Sequence, residues 1–404
     1  MQLADVAALT SVEGRRLLDQ LPPYDDASAL SVGEQLRRQG HPAPLVAAAL
    51  TQSRLRTKAG RRWGAEGAEL LGRLLLTPDG AEQATRPTVA ALRAQRFERV
   101  GPDASVADFG CGVGLDALAL ADAGLTVDAY DRDPLTVAVA RANATARPGE
   151  RSIRVMEADV TTVADDVIAR YDAIFADPAR RQNGRRLLKP EQWSPPLSWV
   201  LALPTHHLGV KVAPGLDRER VPTDMEFAVV SDRGDVVEAS LYRGATRDDT
   251  VSRSATLLPA GARLTDRDLP ATVPPVAAVD HYLHEPDGAA IRAGLVAAVA
   301  AHLDGWLLDP QIAYICTSKA VSSPWVTSYE VVDVLPFQLK RLRAYLRARD
   351  VGQVVVKKRG SAVDVDELRR SLRLDRAGAE RRTLVLTRVG ADPIVAVCQP
   401  TVRR

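Results

Sequence analysis

The chain of 404 residues is longer than one ordinary domain requires, and 46% of its residues are hydrophobic. This composition excludes a mainly disordered protein and predicts two or three folded units. The 53 basic and 51 acidic residues nearly cancel, to a formal net charge of +2. They are unevenly distributed, however: residues 330–404 hold 17 basic and nine acidic side chains, whereas the rest holds 36 and 42. A basic C-terminal part on an acidic body indicates a polyanionic partner.

Cysteine and histidine usage argues against disulfides and against a metal site. Cys111, Cys316 and Cys398 lie too far apart in sequence for any paired metal spacing, and their odd number suits a reducing compartment. His281 and His284 form an H-x-x-H pair without a third ligand at plausible spacing, so we expect no metal. No apolar run reaches the roughly 18 residues of a membrane helix. We therefore expect a cytoplasmic protein without a membrane segment.

The first part of the chain reads as helices. Apolar residues recur at helical spacing over residues 31–38, 44–56 and 65–76, with glycine breaks between them. Five positive charges fall within nine residues just before Trp63: Arg54, Arg56, Lys58, Arg61 and Arg62. Two interpretations of this basic run remain open, a solvated helix end and a nucleic-acid contact.

From Ser105 onward, short apolar runs alternate with helical segments, which predicts a parallel sheet covered by helices. The predicted strands lie over residues 106–109, 126–130, 153–156, 173–175, 208–212, 226–231, 236–242 and 252–258. The turn sequence Asp232-Arg233-Gly234-Asp235 joins later strands of this series, and we expect an antiparallel edge there.

The remaining chain predicts a linker and a small second α/β unit. Residues 259–275 are rich in proline, glycine and charge, and residues 289–303 read as an Ala-rich helix. The final segment reads as helix 336–349, strand 353–357, helix 363–372 and strands 383–388 and 393–398. The predicted domains are a helical region (1–96), an α/β domain (97–258), a linker and helical connection (259–328) and a basic domain (329–404).

The most informative motif runs from Val106 to Leu115, where an apolar strand leads into a glycine-rich turn and then a helix. Glycines 110, 112 and 114 allow a sharp turn and a close approach by a ligand. A dinucleotide fingerprint would place its third glycine at Leu115, so the G-x-G-x-G spacing after Asp108 differs from that fingerprint. Within the turn, Cys111 is expected to pack rather than to react. The motif predicts a nucleotide-like cofactor.

Acidic residues stand at the ends of four successive predicted strands: Asp108, Asp131, Asp159 and Asp177. The carboxyl ends of parallel strands share one edge of the sheet, where ligands of open α/β sheets bind. At this edge Asp131 can accept both hydroxyls of a ribose, and Asp159 can accept from an adenine amine.

In these motifs the sequence resembles the class I S-adenosylmethionine-dependent methyltransferases, over roughly residues 97–258. The resemblance implies an α/β fold with a Rossmann-like sheet and S-adenosyl-L-methionine as cofactor. It also implies a role for each matching residue. The methionine end of the cofactor would be held by Asp108, Gly110, Gly112 and Gly114, the ribose by Asp131 and the adenine by Asp159.

The segment Asp177-Pro178-Ala179-Arg180 corresponds to the D/N-P-P-aromatic motif of methyltransferases that modify exocyclic amines. In that chemistry Asp177 and the carbonyl of Pro178 would hold the amine hydrogens, so that the nitrogen lone pair points at the methyl group. The sequence departs from the motif, since Ala179 replaces the second proline and Arg180 the aromatic residue.

A guanidinium can itself stack on a base, so Arg180 and the neighbouring Arg181 are candidate substrate contacts in a strongly basic loop. Trp193 is a second candidate for stacking the base. A tryptophan of the core or of a lid is the other interpretation of Trp193.

Three further segments extend the resemblance to bacterial relatives of trimethylguanosine synthase, which methylate guanine N2, in a group that ends in a THUMP-like domain. These segments are residues 75–85, 210–215 and 355–360. In such relatives the first segment folds over the cofactor, so Gln83 and Thr85 are candidate cofactor contacts. A loop that merely links helix to strand is the alternative.

THUMP domains bind structured RNA, which would give the basic C-terminal domain a purpose. We therefore expect an RNA partner, tRNA or rRNA, with Lys357, Lys358 and Arg359 as candidate contacts; a solvated basic face is the alternative. The function that the sequence favours is methylation of a base nitrogen in structured RNA. Two alternatives remain, an RNA-binding protein with an inactive methyltransferase fold and a methyltransferase of small molecules or proteins.

Overall fold

The computed structural model describes residues 1–146, 153–182, 185–375 and 377–400. Within these ranges the chain forms two compact units. The first comprises Met1–Glu226 together with Ser240–Thr250, and the second comprises Phe227–Ala239 together with the chain from Val251 onward. The division therefore does not follow a single cut in the sequence.

Helices dominate the first hundred residues, as the sequence predicts. The helices of the first unit are α1 (Leu3–Thr10), α2 (Val12–Gln20), α3 (Ala29–Arg38), α4 (Ala43–Trp63), α5 (Ala68–Arg73), α6 (Pro78–Gln83), α7 (Pro87–Phe97), α8 (Leu115–Asp122), α9 (Pro134–Ala146), α10 (Asp165–Ile168) and α11 (Leu197–Leu201). Helix α2 begins after Ser11, whose side chain accepts a hydrogen bond from the Gly14 amide. Leu17, Leu55 and Trp63 are buried in one hydrophobic cluster that holds these helices together.

The helix predicted over residues 65–76 is shorter in the structure, because α5 ends at Arg73. The next residues are extended. The amides of Leu75 and Leu76 donate to the buried side-chain amides of Asn143 (2.8 Å) and Gln52 (2.9 Å). These side chains replace the backbone partners that a helix would supply. The extended backbone then leads directly into α6.

A parallel sheet covered by helices forms the centre of the first unit and confirms the predicted α/β class. The strands of this part of the chain are β1 (Ser105–Phe109), β2 (Thr126–Asp131), β3 (Ile153–Glu157), β4 (Ala173–Ala176), β5 (Arg181–Gln182), β6 (Arg185–Arg186) and β7 (His207–Val212). Five of them lie in the order β7-β4-β1-β2-β3 and pair in parallel. The carboxyl ends of β1 to β4 therefore meet at one edge, as predicted. The short strands β5 and β6 form a separate antiparallel pair.

The division between the units falls at the start of strand β8 and within strand β9. The remaining strands are β8 (Glu226–Asp232), β9 (Asp235–Arg243), β10 (Arg253–Leu258), β11 (Ala262–Thr265), β12 (Tyr282–Pro286), β13 (Trp306–Asp309), β14 (Ile312–Thr317), β15 (Val326–Pro336), β16 (Val351–Lys358), β17 (Glu380–Val389) and β18 (Asp392–Cys398). Between β8 and β9, Arg233 and Gly234 have φ values of 54° and 85°, as a type I′ turn requires. Within the second unit β10 pairs in parallel with β8 and antiparallel with β11.

Residues 259–328 differ from the linker and helical connection that the sequence predicts. The segment contains β11, and β12 to β14 belong to a seven-stranded sheet in the order β13-β14-β12-β15-β18-β17-β16. Strand β13 has four residues, a run too short to distinguish from a loop by periodicity. The predicted Ala-rich helix is two helices, α12 (Gly288–Ala293) and α13 (Val296–His302). They are separated at Gly294, where φ is 70°, a left-handed value that glycine adopts without strain.

The last part of the second unit has the predicted order of elements. Helices α14 (Leu339–Ala348) and α15 (Val365–Leu372) accompany β16, β17 and β18, and Leu342, Leu368 and Val395 lie in their shared core. Strand β16 pairs in parallel with β17, which pairs antiparallel with β18. Helix α14 begins later than predicted because Pro336 is the last residue of β15 and pairs with Ile394.

The longest helix of the first unit, α4, has 21 residues and carries the basic run near its end. Charged side chains at this density are incompatible with a bilayer interior. Among the helices that the structure describes, none is both long and apolar enough to cross a membrane.

Candidate active site

The glycine-rich turn follows β1 and adopts backbone conformations that require glycine. Gly110, Gly112 and Gly114 have φ values of 81°, 55° and 89°, in the left-handed region that side chains disfavour. A Cβ on Gly110 would lie 2.7 Å from the carbonyl oxygen of Asp177, whereas a Cβ on Gly112 would meet nothing within 4 Å. The turn is therefore packed against Asp177 on one side and open at Gly112.

Two of the predicted cofactor acids follow β2 and β3. Asp131 is half-buried, and its carboxylate accepts hydrogen bonds from the amides of Gly112 and Asp133, each at 3.0 Å. Burial raises its pKa, against the lowering effect of these amides. Asp159 is exposed and accepts from the amide and hydroxyl of Thr161, which lowers its pKa. Of the two, Asp131 is the acid in direct contact with the glycine-rich turn.

Asp108, near the end of β1, is a buried acid whose charge has no hydrogen-bond partner in the described part of the chain. Its side chain is fully buried, and neither carboxylate oxygen accepts a hydrogen bond from the residues that the structure describes. Burial raises its pKa to about 7; the charge of Arg93 opposes this shift and that of Asp177 adds to it. A buried carboxylate without a partner is costly, so this position suits a ligand that brings a positive charge.

Asp177 stands directly after β4 and is held by backbone and side-chain contacts. Its amide donates to the carbonyl of Phe109 at 2.8 Å. Its Oδ2 accepts from Nζ of Lys211 on β7 at 2.7 Å, and the Lys211 side chain is buried. Across the described ranges Oδ1 accepts no further hydrogen bond. The neighbouring Pro178 is buried. Asp177 therefore keeps one carboxylate oxygen open for a ligand beside the glycine-rich turn.

A chain of polar contacts leads away from Lys211 into the interior. Lys211 Nζ donates to Oγ1 of Thr85 at 3.3 Å, and that hydroxyl donates to Oδ2 of Asp116 at 2.7 Å. The other oxygen of Asp116 forms an ion pair with Arg93, whose guanidinium lies 4.1 Å from the ring centroid of Phe175. Thr85, a predicted cofactor contact, is thus linked to Asp177 through Lys211. Its hydroxyl already donates to Asp116 and accepts from Lys211.

Three residues of this site were not predicted from the sequence: Lys211, Asp116 and Arg93. Lys211 carried a signal, because it is a charge in the middle of an otherwise apolar predicted strand. Asp116 has an ordinary explanation, since acids are favourable in the first turn of a helix. Gln83, the other predicted contact ahead of the turn, is exposed at the end of α6.

The first two arginines of the basic loop after Asp177 differ in exposure: Arg180 is bonded within the protein, and Arg181 is the more exposed. Nη1 of Arg180 donates to the carbonyl of Val212 at 3.2 Å, which ties this loop to the end of β7. Arg181 is half-exposed, and its Nη1 lies 3.9 Å from Oε2 of Glu82. Of the two predicted substrate contacts, Arg181 is the more accessible.

Trp193 is placed differently from the stacking role considered for it. Its side chain is 3% exposed, and Nε1 donates to the carbonyl of Leu187 at 3.2 Å. The adjacent Ser194 exchanges two backbone hydrogen bonds with Ala179, at 2.8 and 3.1 Å. Trp193 packs inside the protein and fixes the loop after Asp177, so its ring faces are not available to a base. This placement speaks against the stacking role.

In the second unit two of the three predicted basic residues, Lys357 and Arg359, contact one carboxylate. Lys357 Nζ and Arg359 Nη2 each lie 3.2 Å from an oxygen of Glu285, and Tyr329 donates to the same carboxylate at 3.0 Å. These contacts lower the pKa of Glu285 against the opposing effect of burial. Lys358 donates to a backbone carbonyl at 2.8 Å. Much of the positive charge of Lys357 and Arg359 is therefore compensated within the unit.

The H-x-x-H pair has a structural explanation. His284 is buried, and its two ring nitrogens each lie 2.8 Å from a hydroxyl oxygen, of Ser328 and of Thr317. Burial lowers its pKa to about 4. In the described ranges no group of three His, Cys, Asp or Glu side chains is arranged to hold a metal ion. Cys111 is buried, which raises its pKa well above the usual range, as expected of a packed, unreactive thiol.

Family models match three parts of the chain. A methyltransferase small domain matches residues 81–188, a THUMP domain-like family matches residues 326–400 and a domain of unknown function matches residues 2–59. The first match contains the glycine-rich turn and the acids at the sheet edge, and the second lies within the second unit. Fold and site together define a methyltransferase.

Two relatives from Mycobacterium tuberculosis are similar over most of the chain. Both are named as uncharacterized S-adenosylmethionine-dependent methyltransferases, one from strain CDC 1551 / Oshkosh and one from strain ATCC 25618 / H37Rv. Each is 36% identical over 338 residues, which covers 81% of this chain and 89% of the relative. The chain belongs to the S-adenosylmethionine-dependent methyltransferases and carries a THUMP-like domain after its methyltransferase domain.

A solved structure shows the same fold at low sequence identity. A crystal structure from Porphyromonas gingivalis W83, named a "putative methyltransferase", has a TM-score of 0.71 and 19% identity. The match covers 95% of this chain and 100% of that chain. At this identity the likeness concerns the fold alone.

Proposed function

We propose that this methyltransferase transfers the methyl group of S-adenosyl-L-methionine to a base nitrogen of structured RNA, tRNA or rRNA. The observation that carries the proposal is the open carboxylate oxygen of Asp177 beside the glycine-rich turn, at the head of an arginine-rich loop. In this proposal residues 97–258 perform the transfer and residues 329–404 bind RNA.

The residues at the sheet edge fit the cofactor. Asp108 is an orphaned buried carboxylate for its ammonium group, and the open space at Gly112 accommodates a ligand against the backbone. Asp131, already oriented by the turn, would take the ribose hydroxyls, and the exposed Asp159 the adenine amine. The full proposed set is Asp108, Gly110, Gly112, Gly114, Asp131, Asp159, Gln83 and Thr85.

When bound, the cofactor supplies an electrophilic methyl group on a sulfonium. The contribution of the protein is to hold the acceptor amine. Asp177 Oδ1 and the carbonyl of Pro178 would accept the two amine hydrogens, which directs the nitrogen lone pair along the line of transfer. Lys211 holds the other oxygen of Asp177 and thereby fixes the carboxylate plane. Direct in-line transfer needs no covalent intermediate with the chain, and the proton that the amine loses passes to water.

The exposed basic residues of the second unit support an RNA substrate. Helix α14 and the residue that caps its C-terminus present four exposed positive charges on a domain that matches a THUMP-like family: Lys340, Arg341, Arg347 and Arg349. Such a field attracts phosphate without regard to base sequence. Among the basic residues predicted to contact RNA, Lys358 is the one whose charge is not paired with Glu285.

The proposal is tested by methyl transfer to RNA. The full chain is incubated with cofactor labelled in the methyl group and, separately, with total tRNA, total rRNA, bulk protein and a metabolite extract. The expected result is label in a nucleoside of tRNA or rRNA. Mass spectrometry identifies the methylated nucleoside, which should be missing from the RNA of cells that lack the gene. RNA binding without transfer would favour an inactive fold, and label confined to protein or small molecules would overturn the RNA assignment.

A further inference from the structure

A cluster of opposite charges lies on the surface of the first unit, around Glu82. Nζ of Lys58 on α4 lies 2.5 Å from its Oε1, and Nη1 of Arg181 on β5 lies 3.9 Å from its Oε2. Arg62, also on α4, donates to the carbonyl of Ala81 at 3.1 Å. Lys58, Arg62, Glu82 and Arg181 are called the Glu82 cluster below.

The Glu82 cluster borders the active site along the chain on two sides. Glu82 lies on α6, three residues before Thr85, whose hydroxyl is linked to Asp177 through Lys211. Arg181 follows Asp177 by four residues in the basic loop. The cluster therefore joins the N-terminal helices to the two segments that flank the acceptor position.

The Glu82 cluster carries more positive than negative charge and is accessible to solvent. Lys58, Arg181 and Glu82 have side-chain exposures of 52%, 50% and 46%. Three cations share one acid, and the nearby Arg86 adds a repulsive positive charge to Arg62. Exposed ion pairs contribute little to folding stability, so the stability of the fold does not explain this concentration of charge.

We propose that the Glu82 cluster binds the phosphate backbone of the RNA next to the target base. This inference rests on the proposed function and extends it. It assigns a role to the N-terminal helical region, whose matched segment, residues 2–59, includes Lys58. Lys58 and Arg62 of the basic run on α4 are then nucleic-acid contacts, which is the second of the two interpretations that the sequence allows.

Glu82 has a specific part in this surface. In the free protein its carboxylate takes the place of a phosphate between Lys58 and Arg181, which holds both side chains near the active site. RNA must displace this internal partner, so Glu82 weakens binding. Removal of its charge is therefore expected to strengthen RNA binding, the opposite of what a structural ion pair predicts.

The test measures how the affinity of the full chain for fluorescein-labelled total tRNA depends on salt. Loss of two phosphate contacts in the double variant Lys58→Ala, Arg181→Ala should reduce the slope of log K against log [salt] by about two and weaken binding roughly tenfold. Glu82→Gln should bind tRNA more tightly than the unaltered protein. Arg170→Ala is the matched control, since Arg170 is 74% exposed and pairs with Asp166 at 3.1 Å on the same unit.

Thermal unfolding checks that each variant is folded, and methyl transfer to tRNA separates the two proposals. If RNA is methylated but the double variant and Glu82→Gln behave like Arg170→Ala, the Glu82 cluster is not an RNA surface and the proposed function stands. If the variants shift tRNA binding as expected but no RNA is methylated, the cluster is supported and the proposed function fails. Weaker binding by Glu82→Gln would also overturn the inference.

Discussion

Two buried carboxylates, one in each unit, differ in whether the chain supplies partners for their charge. Asp108 in the first unit is fully buried, and in the described structure its oxygens accept no hydrogen bond. Glu285 in the second unit is also largely buried, but Lys357, Arg359 and Tyr329 contact both of its oxygens. Burial raises the pKa of Asp108 to about 7, whereas its cationic neighbours lower the pKa of Glu285.

The difference indicates what each acid is for. A buried charge whose partners belong to the same chain contributes to the fold, and its removal leaves cations without a partner. A buried charge without partners costs stability, and such a cost persists where a ligand supplies the missing partner. Asp177, with one paired and one open oxygen, lies between these cases. Four experiments test this contrast between the acids.

The largest effect is expected at Asp177. Asp177→Ala removes the acceptor that aligns the amine, so kcat for methyl transfer should fall about 100-fold or more. The dissociation constant of S-adenosyl-L-methionine, measured by calorimetry, should change little because this carboxylate faces the acceptor. Asp166→Ala, a surface acid of the same unit, is the control. Unchanged turnover in Asp177→Ala would remove Asp177 from the proposed mechanism.

The second effect concerns the unpartnered acid. Asp108→Asn removes a charge-assisted contact of about 1.5–3 kcal/mol, so cofactor affinity should fall roughly 10- to 100-fold. The same variant should unfold at a higher temperature in the free state, because an uncompensated buried charge has been removed. Both are measured on one sample, by calorimetric titration and by scanning calorimetry. A variant that loses stability instead would show that Asp108 has partners within the fold.

The third effect is a pH dependence. The carboxyl of Asp108 has a pKa of about 7 in the folded chain and 3.8 without burial. Between these two pH values the folded state thus retains a proton that the unfolded state has lost. The contribution of Asp108 to the free energy of unfolding therefore falls as pH rises over this range. Cofactor affinity should instead rise with pH, since the ammonium group pairs with the ionised carboxylate.

This dependence is measured by titration of S-adenosyl-L-methionine at several pH values. With a pKa of about 7, affinity should rise roughly tenfold between about pH 6 and pH 8. Asp108→Asn is the control and should flatten the profile over this range. A profile that remains equally steep in Asp108→Asn would assign the titration to another group.

The smallest effect is expected at the partnered acid. Glu285→Gln leaves Lys357 and Arg359 without their counterion, which should destabilise the second unit by about 1–3 kcal/mol. Both cations are partly exposed to solvent, so the decrease in the free energy of unfolding should lie at the lower end of the range for breaking a buried ion pair. Scanning calorimetry measures the change, and cofactor affinity should be unaltered. Equal stability of Glu285→Gln and the unaltered chain would remove the contrast with Asp108.

Much of this site can be predicted from sequence because its parts are local in the chain. The glycine spacing after Asp108 and the acids at strand ends depend on strand, turn and helix following one another within a few residues. Parallel pairing then brings Asp131 and Asp177 to the same edge. The chain of contacts from Lys211 through Asp116 to Arg93 joins residues far apart in sequence. Lys211 stands out in its local pattern as a charge within an apolar strand, but its connection to Asp116 and Arg93 becomes visible only in three dimensions.

Two other differences have physical causes of the same kind. Trp193 stands among charged and proline residues, and its burial depends on the pairing of Ala179 with Ser194, which no periodicity records. The strands within residues 259–328 are short, and β12 gains its partners from β14 and β15, which lie far from it in sequence. Short strands of this type lack a local signal, because their stability comes from pairing rather than from propensity.

The backbone contact between Gly110 and Asp177 sets the spacing of donor and acceptor. The Asp177 amide donates to the carbonyl of Phe109, and the carbonyl oxygen of Asp177 lies 2.7 Å from the position that a Cβ on Gly110 would take. The loop proposed to face the cofactor and the loop proposed to face the acceptor are thus joined main chain to main chain. Under the proposed function, the distance over which the methyl group moves would be set by the backbone, and the side chain at position 177 would select the acceptor without changing that distance.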